Sequence, residues 1–113
     1  MKKSSLLVAT LLTMTSLQSF ADPKCDGIEN WAASVAYSSL KNKGLLTPET
    51  TLYEQTKVER LASEEIGDDL FRQVHHITFL LKTGTVEVVT VNDASSEECS
   101  MSDVQLFLID KEL

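Results

Sequence analysis

The sequence predicts an α+β fold: an amino-terminal helix packed on a four-stranded antiparallel β-meander, held by one disulfide. Three observations carry this expectation. Apolar residues recur at three-and-four spacing between Ile28 and Leu40, which places them on one side of a helix. From Leu70 onward apolar positions alternate, the period of a strand with one buried face. Cys25 and Cys99, the only cysteines, stand just before the helix and ahead of the last apolar run.

The helix is expected over 27–43. Asp26 can cap it, and Glu29, three places on, can complete a capping box. Ile28, Trp31 and Val35 define the face expected to be buried, and Gly44 is a natural stop. Residues 45–50, with Pro48, read as a loop. From Thr51 to Ile66 the signals conflict. Lys57-Val58-Glu59-Arg60-Leu61-Ala62 has good helical propensity, yet Leu52-Tyr53 and the threonines before it favour a strand. A strand over 58–66 is chosen, closed by a turn at Gly67-Asp68-Asp69.

The next strand, 70–81, sets Phe71, Ile77, Phe79 and Leu81 on one side and Val74, His76, Thr78 and Leu80 on the other. Thr83-Gly84 reads as a two-residue hairpin turn into a strand over 85–91. That turn would place Leu81 opposite Val86 and Phe79 opposite Val88. A polar loop over 92–102 carries Cys99. The last strand, 104–110, is apolar on both sides, which suits an interior strand or an edge whose outer face meets a partner.

The first 21 residues explain why the cysteines would be paired. Met1-Lys2-Lys3 is followed by a short apolar run and then Ser19-Phe20-Ala21, the pattern of a secretory signal peptide cut after Ala21. The run, broken by threonines, is shorter than the ~20 residues that span a bilayer. No second such run follows, so no stable membrane insertion is expected. Cys25 lies four places past the cut rather than directly after it, which argues against a lipoprotein. The terminal Asp110-Lys111-Glu112-Leu113 looks like a retrieval tail, a coincidence behind a leader of bacterial appearance.

The expected product, residues 22–113, is a single α+β domain of 92 residues in the periplasm or outside the cell. Domains this small have a modest core, and exported ones are often tied covalently. A Cys25–Cys99 bridge would close most of the chain into one loop. Free thiols and a metal site are the alternatives, but there is no C-x-x-C pair and no suitably spaced histidine set.

The whole chain has 17 acidic and 10 basic residues, a net charge of −7. Removing Lys2 and Lys3 with the leader takes this to −9. Nucleic acid is a poor partner for such a chain, because phosphate contacts need a basic stripe. A basic protein would be steered towards it. Acids serving solubility alone would be an ordinary alternative.

No residue cluster announces a reaction, and no catalytic residue, cofactor or metal site is assigned. His75 and His76 are neighbours on a strand and point to opposite faces, so they cannot share a metal or a proton relay. Ser34, Ser38, Ser39, Ser95 and Ser96 lack a Gly-x-Ser-x-Gly setting. The pairs Glu64-Glu65, Asp68-Asp69 and Glu97-Glu98 read as solvated turns or edges. A glycosidase would need two carboxylates across a cleft, and the aspartates lack the alternating spacing of an EF-hand.

Pro23-Lys24-Cys25-Asp26-Gly27-Ile28, followed by Ala32-Ala33-Ser34-Val35, resembles the start of the mature proteins in the family of small exported proteins that includes YebF and the colicin M immunity protein. The resemblance covers about a dozen residues, the cysteine separation and the strand order. This chain departs from it by running on longer after Cys99. The resemblance implies a helix against a four-stranded antiparallel sheet and a disulfide from before the helix to the carboxy-terminal part; YebF suggests no clear activity, while the immunity member implies neutralising a toxin in the periplasm.

The function expected is therefore a non-enzymatic binding protein of the immunity or inhibitor kind, directed at a toxin or wall-degrading enzyme. Glu64, Glu65, Asp68, Asp69 and Glu87 are the candidate partner contacts. An exported accessory or stress protein with a scaffolding role is a second class, and a small hydrolase a third.

Overall fold

The computed structural model describes residues 22–25, 27 and 30–113. The leader and the Asp26, Ile28 and Glu29 positions lie outside the described residues. Among the described residues the first element is helix α1 (Trp31–Asn42), followed by a 3-10 turn (Tyr53–Gln55). Four strands then follow: β1 (Lys57–Gly67), β2 (Leu70–Leu81), β3 (Gly84–Ala94) and β4 (Gln105–Glu112). They pair in sequence order in one antiparallel sheet. The α+β meander is as expected, with β1 and β4 at the edges. Cys25 and Cys99 are joined, with their Cα atoms 5.8 Å apart.

The helix begins at Trp31, later than its periodicity implied. Gly27 has φ +93°, a backbone state outside the helix that suits a residue without a Cβ. Asn30 is the cap: its extended backbone lets Oδ1 accept from Ala33 N at 2.7 Å, satisfying a first-turn donor. At the other end Gly44 turns left-handed (φ +78°). Its N–H donates to Lys41 O, and that of Leu45 donates to Leu40 O, the paired bonds of a Schellman ending.

The buried face of α1 also differs from the expected one. Ala32, Ala33, Ala36 and Leu40 are buried, whereas Val35 is only half-buried and Trp31 is 40% exposed. Small side chains let a helix lie close to a sheet. The bulky indole is displaced to the rim, where its Nε1 donates to Ser102 O at 3.3 Å.

The alanine stripe packs on Ile77, Phe79, Val86 and Val88, with Leu46 closing the cluster. Tyr37 meets Tyr53 edge-on at 5.0 Å between ring centroids and reaches Phe79 at 6.2 Å. The loop after the helix is tied to the end of β2, because Leu52 N donates to Leu80 O and Lys82 N to Thr50 O.

Strand β1 forms where local propensity was ambiguous, because β2 offers it a ladder from Lys57↔Thr78 to Gly67↔Leu70. Two irregularities leave Leu61 and Ile66 out of register, and both side chains are exposed. The β2–β3 hairpin turns at Lys82-Thr83, one residue earlier than expected. Leu81 therefore faces Gly84, Phe79 faces Val86 and Ile77 faces Val88. The register differs by two residues from the expected one, so the same side chains stay on the inner face.

Gly84 opens β3 instead of making the turn. A Cβ there would lie 1.6 Å from Glu112 O. Replacing Gly84 with Ala is thus expected to push the end of β4 off β3 and cost about 1–3 kcal/mol, the range for overpacking. A urea titration that leaves the midpoint unmoved would contradict this.

Candidate binding surface

The sheet has two unlike faces. Inward-facing positions run Phe71, Gln73, His75, Ile77 and Phe79 on β2, and Val86, Val88, Thr90, Asn92 and Ala94 on β3, all buried. The half under α1 is apolar. The other half is polar, with Gln73 opposite Asn92 and His75 opposite Thr90.

That polar half receives the segment around the disulfide. Gln73 Nε2 donates to Pro23 O at 3.1 Å, and Arg60 donates to the same carbonyl. Asn30 Nδ2 donates to Cys25 O and lies 3.5 Å from His75 Nε2. Asn92 Nδ2 donates to Cys99 O at 3.0 Å. Ser63 Oγ and Arg60 both hold the Asp22 carboxylate. An irregular segment has no ladder to satisfy its carbonyls, and buried ones need partners. Side-chain amides supply them here. Polar residues at inward positions of β2 and β3 are the sequence signal for this bracket, which periodicity alone passes over.

The opposite, outer face is crossed by rows of residues fixed by the strand register. Glu64, Arg72 and Asp93 form one row, and Ala62, Val74, Val91 and Gln105 the next. Then come Glu59, His76, Val89 and Phe107, followed by Lys57, Thr78, Glu87 and Asp110. The centre of the face is apolar, through Val74, Val89, Val91 and Phe107. One end is acidic on balance, with Glu59, Glu87 and Asp110 beside the single cation Lys57.

Within that end, His76 Nε2 lies 2.8 Å from Glu87 Oε1, and Nδ1 lies 3.7 Å from Glu59 Oε1. Among the described residues no group of three or more His, Cys, Asp and Glu is placed to hold a metal ion. At the other end Arg72 makes a two-pronged bond to Asp93, at 2.9 and 3.2 Å. The Asp93 hydrogen bond and charge hold the Arg72 guanidinium above its ordinary pKa. The adjoining hollow, about 370 Å³ between Arg72, Asn92, Asp93, Ser102 and Gln105, is thus flanked by an ion pair already closed.

The five acids expected to meet a partner are spread over separate places. Glu87 lies on the outer face beside His76. Glu64 shares that face but stands opposite Arg72, six residues along β2 from Thr78, the partner of Glu87, or roughly 20 Å at strand rise. Glu65 alternates to the other side, opposite Phe71. Asp68 is exposed in the turn. Asp69, at φ +49°, accepts from Ser96 N at 3.0 Å and Ser96 Oγ at 2.9 Å, so its carboxylate anchors the loop that carries Cys99.

The fold and this face define an α+β domain with one covered and one open sheet face, braced by a disulfide strap. Comparison with protein-family models, with curated proteins and with solved structures finds no match for the chain. No helix among the described residues is long and apolar enough to cross a membrane.

Proposed function

We propose that this is an exported, disulfide-bonded binding protein of the immunity or inhibitor kind, which blocks a basic region of a toxin or wall-degrading enzyme without catalysis. The observation that carries the reading is the outer sheet face, which has an apolar centre and an acidic end. Such a surface offers apolar contact at its centre and complementary charge at its rim, where charge sets encounter rate and specificity. Glu59, Glu87 and Asp110 are the residues best placed to receive lysines or arginines, with Glu64 at the far end. The disulfide and the leader pattern support export. The resemblance around Cys25 supports the immunity class.

The test is capture from periplasmic extract on the immobilised, disulfide-bonded protein. A specific basic partner is expected at low salt, lost at high salt and lost in the Glu59→Lys/Glu87→Lys variant. Recovery of no partner at low salt would count against the proposal, as would a partner indifferent to both salt and charge reversal.

A further inference from the structure

Three buried oxygens lie together on the polar half of the inner sheet face: Gln73 Oε1, Thr90 Oγ1 and Asn92 Oδ1. None has a hydrogen-bond partner among the described residues, and their residues are 0, 0 and 3% exposed. Gln73 and Asn92 stand directly opposite each other across β2 and β3, about 5 Å apart at Cα. Thr90 is two residues from Asn92 on the same side of β3, about 7 Å away at strand rise.

The orientation of both amides is set by the bonds they already make. Gln73 Nε2 donates to Pro23 O and to Ser63 Oγ, each at 3.1 Å. The Ser63 hydroxyl gives its own proton to Asp22, so it can only accept from Gln73. Asn92 Nδ2 donates to Cys99 O at 3.0 Å and to Asp93 O at 3.4 Å. Turning either amide over would set oxygen against oxygen. The two atoms left over are therefore acceptors that need a donor, and leaving such atoms buried and unpaired is costly. The Thr90 hydroxyl has one proton, which cannot serve both.

We infer that this patch binds one ordered water, which donates to Gln73 Oε1 and Asn92 Oδ1 and accepts from the Thr90 hydroxyl. A water has two protons to give, and a buried one typically makes about three hydrogen bonds. The patch matches that number and those directions. A cation is the poorer match, because all three oxygens are uncharged and a buried charge needs compensation. The water also joins the two clamps of the strap. Gln73 holds the Pro23 end and Asn92 the Cys99 end by their nitrogens, while the water fixes the oxygens of both.

A crystal structure of the disulfide-bonded protein, with urea unfolding of Thr90→Val and Thr90→Ser, tests this. One water is expected within about 2.7–3.2 Å of all three oxygens, retained in Thr90→Ser. Thr90→Val keeps the shape of the side chain and removes its proton. It should raise the unfolding equilibrium constant by about tenfold, equivalent to ~1.4 kcal/mol. A hydroxyl with no partner gives the opposite sign, since replacing it with a methyl relieves a buried polar group.

Unchanged or increased stability of Thr90→Val would thus overturn the inference. So would wild-type crystals in which the three side chains bond one another directly with no water between them. Stability that rises in potassium or sodium chloride over choline chloride at equal ionic strength, and falls back in Thr90→Val, would assign the patch to a cation instead. The wild-type crystal decides the matter even if Thr90→Val does not fold.

Discussion

Replacing Cys25 and Cys99 together by serine is expected to lower the unfolding free energy by about 4 kcal/mol. The bridge spans a sequence separation of 74, and the chain-entropy model gives a loss of this order for so long a loop. The melting temperature should fall by roughly 15–30 °C, since a domain of this size loses about 4–8 °C per kcal/mol. The bond also holds the Cys25 and Cys99 carbonyls over Asn30 and Asn92. Its removal therefore loosens buried polar contacts as well as freeing the unfolded chain. Urea and thermal unfolding of oxidised wild type and the double variant provide the check. A loss below about 1 kcal/mol would show that the strap docks without its covalent tie.

Phe79→Ala should rival that effect by another route. The ring is completely buried, packed against Tyr37 and facing Val86 across the hairpin. Truncating a buried phenylalanine costs about 3–5 kcal/mol, part lost transfer energy and part the cavity left behind. The informative control is Phe107→Ala. That side chain is 52% exposed on the β4 edge, so monomer stability should change by less than about 0.5 kcal/mol, as for a surface substitution. Chemical denaturation at low protein concentration separates the two. Equal losses at both positions would mean that the inner face is not the core.

The strands and their faces were legible because alternation over Leu70–Leu81 leaves one way to bury Phe71, Ile77 and Phe79. The hairpin register was less so, and Gly84 shows why. Glycine beside threonine reads as a turn because it tolerates unusual backbone angles, but here it serves a neighbour's approach. The carbonyl of Glu112, a residue 28 positions away in the chain, passes where a Cβ would sit. Local sequence cannot announce that.

The helix was displaced for a related reason. A capping pattern at Asp26 and Glu29 competes with Asn30, and large apolar residues invite the core assignment. Close contact with the sheet instead favours the alanines at 32, 33 and 36. The surface was the least legible part, since strand pairing decides which acids become neighbours. Glu59 and Glu87 flank one histidine across 28 residues of sequence, while adjacent Glu64 and Glu65 point to opposite sides.

The division of the inner face into apolar and polar halves has a consequence for cooperativity. Helix α1 rests on Ile77, Phe79, Val86 and Val88, so releasing it sacrifices the main hydrophobic cluster and amounts to global unfolding. The strap rests on hydrogen bonds from Arg60, Gln73, Asn92 and the helix cap Asn30 and on one covalent bond. It can lift away without exposing the cluster beneath α1. The domain is thus two units of different tenacity on one sheet, and local opening belongs to the strap. On reduction the strap is expected to come free first, while the half beneath the helix keeps its packing.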